Sequence, residues 1–196
     1  MADIPMRYVR LSSVTASTGA EKRLLSSGTG DTDYKGSLQF AALTLAAGDI
    51  IRIHPWGRYE NESTSDGSGR FRLYFNNGNP ATLANPIADS LANPAQPWPP
   101  NPQVYVNGTI TIEWHFLAYI TIRSAGGTDS WCDALVEWVD RPGTSNKTNC
   151  NKMMGLGSFD IDTSQANSLE LTAHPLTNGS IILDQCSIEW LGPPLT

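Results

Sequence analysis

The sequence predicts an all-β protein, an antiparallel jelly-roll β-sandwich of about eight strands. Three observations carry that expectation. Apolar and polar residues alternate strictly over several segments, turn clusters rich in Gly, Asn, Asp and Ser separate them, and no segment shows a helical period. A chain of 196 residues is long enough for one sizeable sandwich, which buries roughly 70% of its unfolded surface without disulfides or a metal.

Taken in order, Leu38 and Phe40 change phase to Leu43 and Leu45 across Ala41 and Ala42, as a β-bulge requires. Gly48 and Asp49 make a tight turn. The next strand, 50–59, holds Ile51 and Ile53 inward. It also contains Pro55 and Gly57, which suit an edge or bent strand better than a central one. Phe71, Leu73 and Phe75 then alternate with Arg70, Arg72 and Tyr74. The clearest run is 109–123, where Ile110, Ile112, Trp114, Phe116, Ala118, Ile120 and Ile122 share one face. Its length predicts two strands, or one that changes sheets, with Leu117 and Tyr119 marking a covered patch or a bend. Cys132, Ala134, Val136 and Trp138 form the next strand, then Leu169, Leu171 and Ala173, and Cys186, Ile188 and Trp190 close the series.

Two segments do not fit a bare sandwich. Residues 1–36 are polar and irregular and read as an N-terminal arm; the jelly-roll domain is 37–196. Within it, residues 79–102 contain four Asn-Pro pairs, seven prolines in all and one charge, Asp89. Proline fixes extended backbone and removes N–H donors, so this Pro-rich extended loop cannot enter a sheet interior. Leu83, Ile87, Leu91 and Trp98 are costly to leave in water, which favours docking on a surface, a neighbouring subunit being the first choice.

Charged residues make up 16% of the chain, below the roughly 25% of ordinary soluble domains, and suggest that much of the surface faces protein. The net charge is −6, and the first 35 residues balance five cations against four anions. No basic arm for a nucleic-acid backbone is present, so nucleic acid is not an expected partner. Three cysteines, Cys132, Cys150 and Cys186, are an odd number at unrelated spacings and read as free, mostly buried thiols. No apolar run reaches signal-peptide or membrane-spanning length, so a soluble chain made in the cytoplasm is expected, with no membrane partner. The four Asn-x-Ser/Thr sequons, at Asn61, Asn107, Asn146 and Asn178, are read as turn chemistry rather than glycan sites.

Catalytic chemistry finds little to stand on. His54, His115 and His174 are far apart in sequence, with no His-x-His pair and no carboxylate at ligand spacing, so no metal or other cofactor is expected. No nucleophile motif or phosphate-binding glycine loop occurs. Asp160 and Asp162 fall on one side of a strand, an arrangement compatible with calcium or glycosidase chemistry, but alternation with Phe159 and Ile161 makes them a polar face. Trp56, Tyr59 and Trp98 suit either sugar stacking or protein contact.

The order of the segments LTLAAGDIIRIHPWGRY, GRFRLYF, GTITIEWHFLAYITIRSAGG and SLELTAHPLTNGSIILDQCSIEWL resembles the small jelly-roll virion proteins of tailed bacteriophages, the capsid cement or decoration proteins and related fibre domains. The resemblance spans about residues 37–192. It implies a homotrimeric structural protein on the outer capsid surface, binding across major capsid protein subunits and stabilising the shell, made in the host cytoplasm. The arm and the Pro-rich segment have no counterpart in that resemblance, which carries no binding residue across; their apolar residues, Met6, Tyr8, Leu11 and Leu24 in the arm and Leu83, Ile87, Leu91 and Trp98 in the Pro-rich segment, are the expected partner contacts on their own chemistry. The competing expectation is a receptor-binding or glycan-binding domain of a tail fibre or spike, against which stands the absence of a coiled-coil shaft. A genome-packaging shell protein lacks its basic arm here, and an enzyme lacks its ligand clusters.

Overall fold

The long alternating run forms a single strand of 15 residues, β9 (Ile110–Ser124), and the larger sheet is built around it. The structure is a computed structural model and describes residues 6–10, 13–17, 19–25, 39–40, 42–65, 67–77, 87–89, 104–106, 109–127, 130–139 and 153–192. Every regular element among them is a strand: β1 (Met6–Arg10), β2 (Val14–Ser17), β3 (Lys22–Leu25), β4 (Gln39–Phe40), β5 (Ile50–Asn61), β6 (Gly67–Asn77), β7 (Ala88–Asp89), β8 (Val104–Val106), β9, β10 (Ser130–Val139), β11 (Met153–Ile161), β12 (Asn167–Pro175) and β13 (Ser180–Leu191). They form two antiparallel sheets. The larger runs β1-β13-β5-β9-β10-β11, with β2 also on β13; the smaller runs β3-β12-β6-β7, with β4 on β12 and β8 on β6.

Period-two patterning decides which side chains meet between the sheets. Along β5, residues Ile51, Ile53, Pro55, Gly57, Tyr59 and Asn61 are buried and their neighbours are not. From β9 come Trp114, Phe116, Ala118, Ile120 and Ile122, and from the facing sheet Phe71, Leu73, Phe75, Leu169, Leu171 and Ala173. Aromatic rings tie the layers together: Phe71 of β6 meets Trp114 of β9 at 4.7 Å between centroids, and Phe40 of β4 meets Trp190 of β13 at 5.6 Å. Each fully buried large side chain contributes about 1.5–3 kcal/mol, and each ring pair about 0.5–1.5 kcal/mol more.

Four expectations are corrected in detail. Strand β9 neither divides nor changes sheets; it pairs with β5 on one side and β10 on the other, and Leu117 and Tyr119 are half-buried on its outer face. β5 is a central strand despite its proline. Pro55 pairs with Cys186 of β13, while the ladder to β9 passes from Ile53↔Ala118 to Trp56↔His115, so the missing N–H coincides with a gap in that ladder. The phase change near residue 41 is a turn rather than a bulge. Among the described residues there, Gln39–Phe40 is strand, Ala42 and Leu43 turn the chain, Leu43 is exposed, and Leu45 returns to the core.

The fourth correction concerns the N-terminal residues, which read as an irregular arm. Their described part holds three strands, with β1 and β2 end to end along one edge of β13 and β3 on β12 of the other sheet. Short edge strands bury only every second residue, as Val14 and Ala16 do in β2 while Thr15 and Ser17 stay exposed, so the segment looks polar as a whole. The predicted turn before β5 is present: Gly48 takes φ 97°, the Asp49 N–H donates to the Ala46 carbonyl at 3.1 Å, and the Asp49 carboxylate accepts from the Ala46 N–H at 2.8 Å.

Candidate functional site

Of the residues expected to contact a partner, two are placed inside the protein's own core. Leu24 of β3 is fully buried between the sheets, and Ile87 is nearly so, its N–H donating to the Leu73 carbonyl at 2.8 Å just before β7 pairs with β6. The apolar cost that suggested docking is thus met intramolecularly at both positions. Met6 and Tyr8 have backbone positions opposite Trp190 and Ile188 of β13. Leu11, Leu83, Leu91 and Trp98, like most of the Pro-rich segment, lie outside the described residues.

The outer face of the larger sheet carries the first polar constellation. Strand β5 presents Arg52, His54, Trp56, Arg58 and Glu60 there, and β13 presents Asp184, Gln185, Ser187 and Glu189 beside them. Arg52 pairs with Glu189; Arg58 pairs with Asp184 at 2.9 Å and with Glu60 at 2.6 Å, and Ser13 also donates to Asp184. Between these ion pairs the His54 ring lies 5.3 Å from Trp56 and 5.7 Å from His115 of β9. Sequence distance hid this histidine pair, since nothing in the two segments announces that β5 and β9 are neighbours. His174 belongs to the other sheet, and among the described residues no three His, Cys, Asp or Glu side chains group around a possible ion.

Burial, then the neighbouring His115, then Arg52 hold the His54 imidazole below its ordinary value of 6.5. The folded protein therefore binds that proton less readily than the unfolded chain does. Stability from this site is complete above the unfolded value and declines as the pH falls through 6.5 towards the lowered folded value. Thermal unfolding followed from pH 8 to pH 5 is expected to show a falling midpoint, with a shallower fall in His54→Gln. Identical pH profiles for the two proteins would remove His54 as the cause.

A second constellation sits on the outer face of the smaller sheet, where β12 is buried on both sides. Glu170, fully buried, accepts from the Arg23 guanidinium at 3.1 Å. Glu21 is held by Arg72, by the Thr172 hydroxyl and, at 3.4 Å, by the Tyr74 hydroxyl. Burial, with the nearby Glu21 charge adding to it, pushes the Tyr74 phenol upward. Every member of this group has a partner within the group, which is the arrangement of a structural network rather than of a site waiting for substrate.

The remaining sequence candidates resolve locally. Asp160 is exposed at the end of β11, but Asp162 lies beyond the strand, where its carboxylate accepts from the Ser164 N–H at 2.9 Å in a tight turn; the two do not share a strand face. Asn61 is buried and folds its own turn, donating to the Ser65 carbonyl at 2.8 Å and accepting from the Ser63 N–H at 3.1 Å, as the turn reading of that sequon requires. Tyr59, pushed up to about 12 by burial, donates its hydroxyl to the Asn178 carbonyl and so fixes the turn at a second sequon. Cys186 is a buried free thiol; the other two cysteine side chains lie outside the described residues.

No family model matches the chain, and no curated protein does. Among solved structures it is similar to a marine PL-14 alginate lyase from Aplysia kurodai at 10% identity and a TM-score of 0.37, covering 95% of this chain and 90% of that one. It is also similar to alginate lyase Aly36B at 12% identity and a TM-score of 0.35, covering 100% of this chain and 84% of that one. A legume lectin-like domain from Entamoeba histolytica matches at 7% identity and a TM-score of 0.27, covering 76% of this chain and 74% of that one.

Proposed function

We propose that the chain is a structural virion protein of a tailed phage. In this reading it acts as a homotrimer that decorates the outer capsid and cements it by binding across major capsid protein subunits, and it carries out no catalysis. The observation that supports the reading best is the pairing of charges across strands among the described residues of both outer faces. Arg23 with Glu170, Arg52 with Glu189, Arg58 with Asp184 and Arg72 with Glu21 each join one strand or its flank to another. A face whose charges are already paired can be covered by another protein without stranding an ion away from water, which would otherwise cost several kcal/mol per ion. Low overall charge, 16% of residues, acts in the same direction.

Cementing then follows from mass action and repetition. A protein that binds the assembled lattice and not its free subunits favours the lattice, and contacts that are weak singly add up over a symmetric shell. The test is stoichiometry and stability of purified particles. About one copy per shell subunit is expected, together with a lower temperature of genome release once the protein is stripped. A handful of copies per particle, or unchanged heat resistance after stripping, would replace this reading with that of a fibre or spike component.

A further inference from the structure

Two imidazoles meet on the outer face of the larger sheet. His54 of β5 and His115 of β9 each alternate with residues buried between the sheets, Ile53 and Pro55 on one strand and Trp114 and Phe116 on the other, so both side chains take the outward face. The register, Ile53↔Ala118 and then Trp56↔His115, sets the two histidines diagonally across the ladder, within reach of long side chains. Their ring centroids are 5.7 Å apart with the planes inclined at 60°, and the Trp56 ring lies 5.3 Å from His54.

This is the separation of two rings that share one ion. With a metal–nitrogen bond of about 2.0–2.1 Å and an angle of about 110–130° at the metal, two imidazole centres stand about 5–6 Å apart. Rings that are inclined rather than stacked can each turn an in-plane nitrogen towards a common point. The nitrogens themselves supply a second observation. Nε2 of His115 is buried and has no hydrogen-bond partner, a cost that buried polar atoms ordinarily avoid by pairing. Burial first, then His115, then Arg52 hold His54 below its ordinary 6.5, so at neutral pH it offers a lone pair rather than a proton.

We propose that His54 and His115 form a two-imidazole site for one divalent transition-metal ion of the zinc–copper class, with water in its other coordination positions. The surroundings select the class. Glu189 is engaged by Arg52, and Asp184 and Glu60 by Arg58, so these oxygen ligands, of the kind calcium and magnesium require, are already taken. Imidazole nitrogen instead suits zinc, nickel and copper. The same ion pairs offset the two guanidinium charges that would otherwise repel a cation. The site needs neither a trimer nor a capsid, so it stands whether or not the chain decorates a shell.

The test titrates the full-length chain with Zn²⁺ at neutral pH and follows the imidazole resonances of its three histidines by NMR. Cysteine thiols also take zinc, so the histidine signals rather than total binding report the site. The resonances of His54 and His115 are expected to move together, at one zinc concentration, while that of His174 stays in place; Cu²⁺ should bind more tightly than Zn²⁺, and Mg²⁺ should move none of them. In His54→Gln the remaining His115 signal should need about tenfold more zinc or higher to respond, and in His115→Gln the His54 signal likewise. The wild-type titration decides the matter even where a variant does not fold. Resonances unmoved at about 1 mM Zn²⁺, His54 and His115 responding at different concentrations, His174 responding in step with them, or a variant whose remaining imidazole binds as in the wild type would each overturn the site.

Discussion

Gly57→Ala is expected to destabilise the protein by about 4 kcal/mol or more, beyond the ordinary range for a single substitution, and to lower its melting midpoint by roughly 10 °C or more. The reason is a close approach of two backbones. Gly57 lies on the buried side of β5, opposite Leu183, next to the register shift by which β13 passes from Leu183 to Gln185. A methyl group built there would fall inside the van der Waals shell of the Ile182 carbonyl oxygen and only 2.9 Å from both the Ile182 carbonyl carbon and the Trp114 ring. Neither can retreat, since Ile182 belongs to a strand paired on both edges and Trp114 sits against Phe71 in the core. Gly69→Ala should cost much less, because its new methyl would meet the mobile end of the Ile181 side chain. Gly127→Ala, with nothing within 4 Å, serves as the control. Chemical denaturation of the three variants checks the order, and a Gly57→Ala protein within about 1 kcal/mol of wild type would mean that β5 and β13 do not approach so closely.

What the sequence disclosed and what it concealed divide along the range of the interactions. Alternation is local, and it correctly placed Trp114, Phe116, Ile120, Phe71, Leu73 and Leu169 in the core. Turn chemistry is local as well, and it found the turn at Gly48–Asp49 and the self-contained turn of Asn61. Strand order is not local. Pro55 and Gly57 argued for an edge by their residue types alone, yet β5 is central, its proline sitting at a gap in the ladder to β9 and its glycine beside the register shift of β13. His54 and His115 looked isolated for the same reason, and Glu21 and Thr172, 151 positions apart in numbering, become neighbours only through the pairing of β3, β12 and β6. The first strands were overlooked because an edge strand four or five residues long spends half its residues on solvent and shows too few apolar positions to register as periodic.

Arg23→Ala is expected to cost about 3–5 kcal/mol, the second largest effect, although it removes a side chain from a short edge strand. The decisive quantity is the environment of the partner. The Glu170 side chain is 1% exposed, so deleting the guanidinium strands a carboxylate where water cannot replace it. Arg52→Ala breaks a pair of identical chemistry on the other sheet, but there the two side chains are 43% and 21% exposed, and solvent and salt take over much of the interaction. Its expected cost is below about 1 kcal/mol. Removing both charges tests whether the penalty belongs to the lost attraction or to the abandoned ion. The Arg23→Met, Glu170→Met double variant should recover most of the loss, because apolar side chains of similar reach leave no charge to solvate. Equal destabilisation by Arg23→Ala and Arg52→Ala in denaturant titrations would show that Glu170 is not sealed from water. A double variant as unstable as Arg23→Ala would show that Glu170, which engages further groups, is needed for its hydrogen bonds rather than for its pairing.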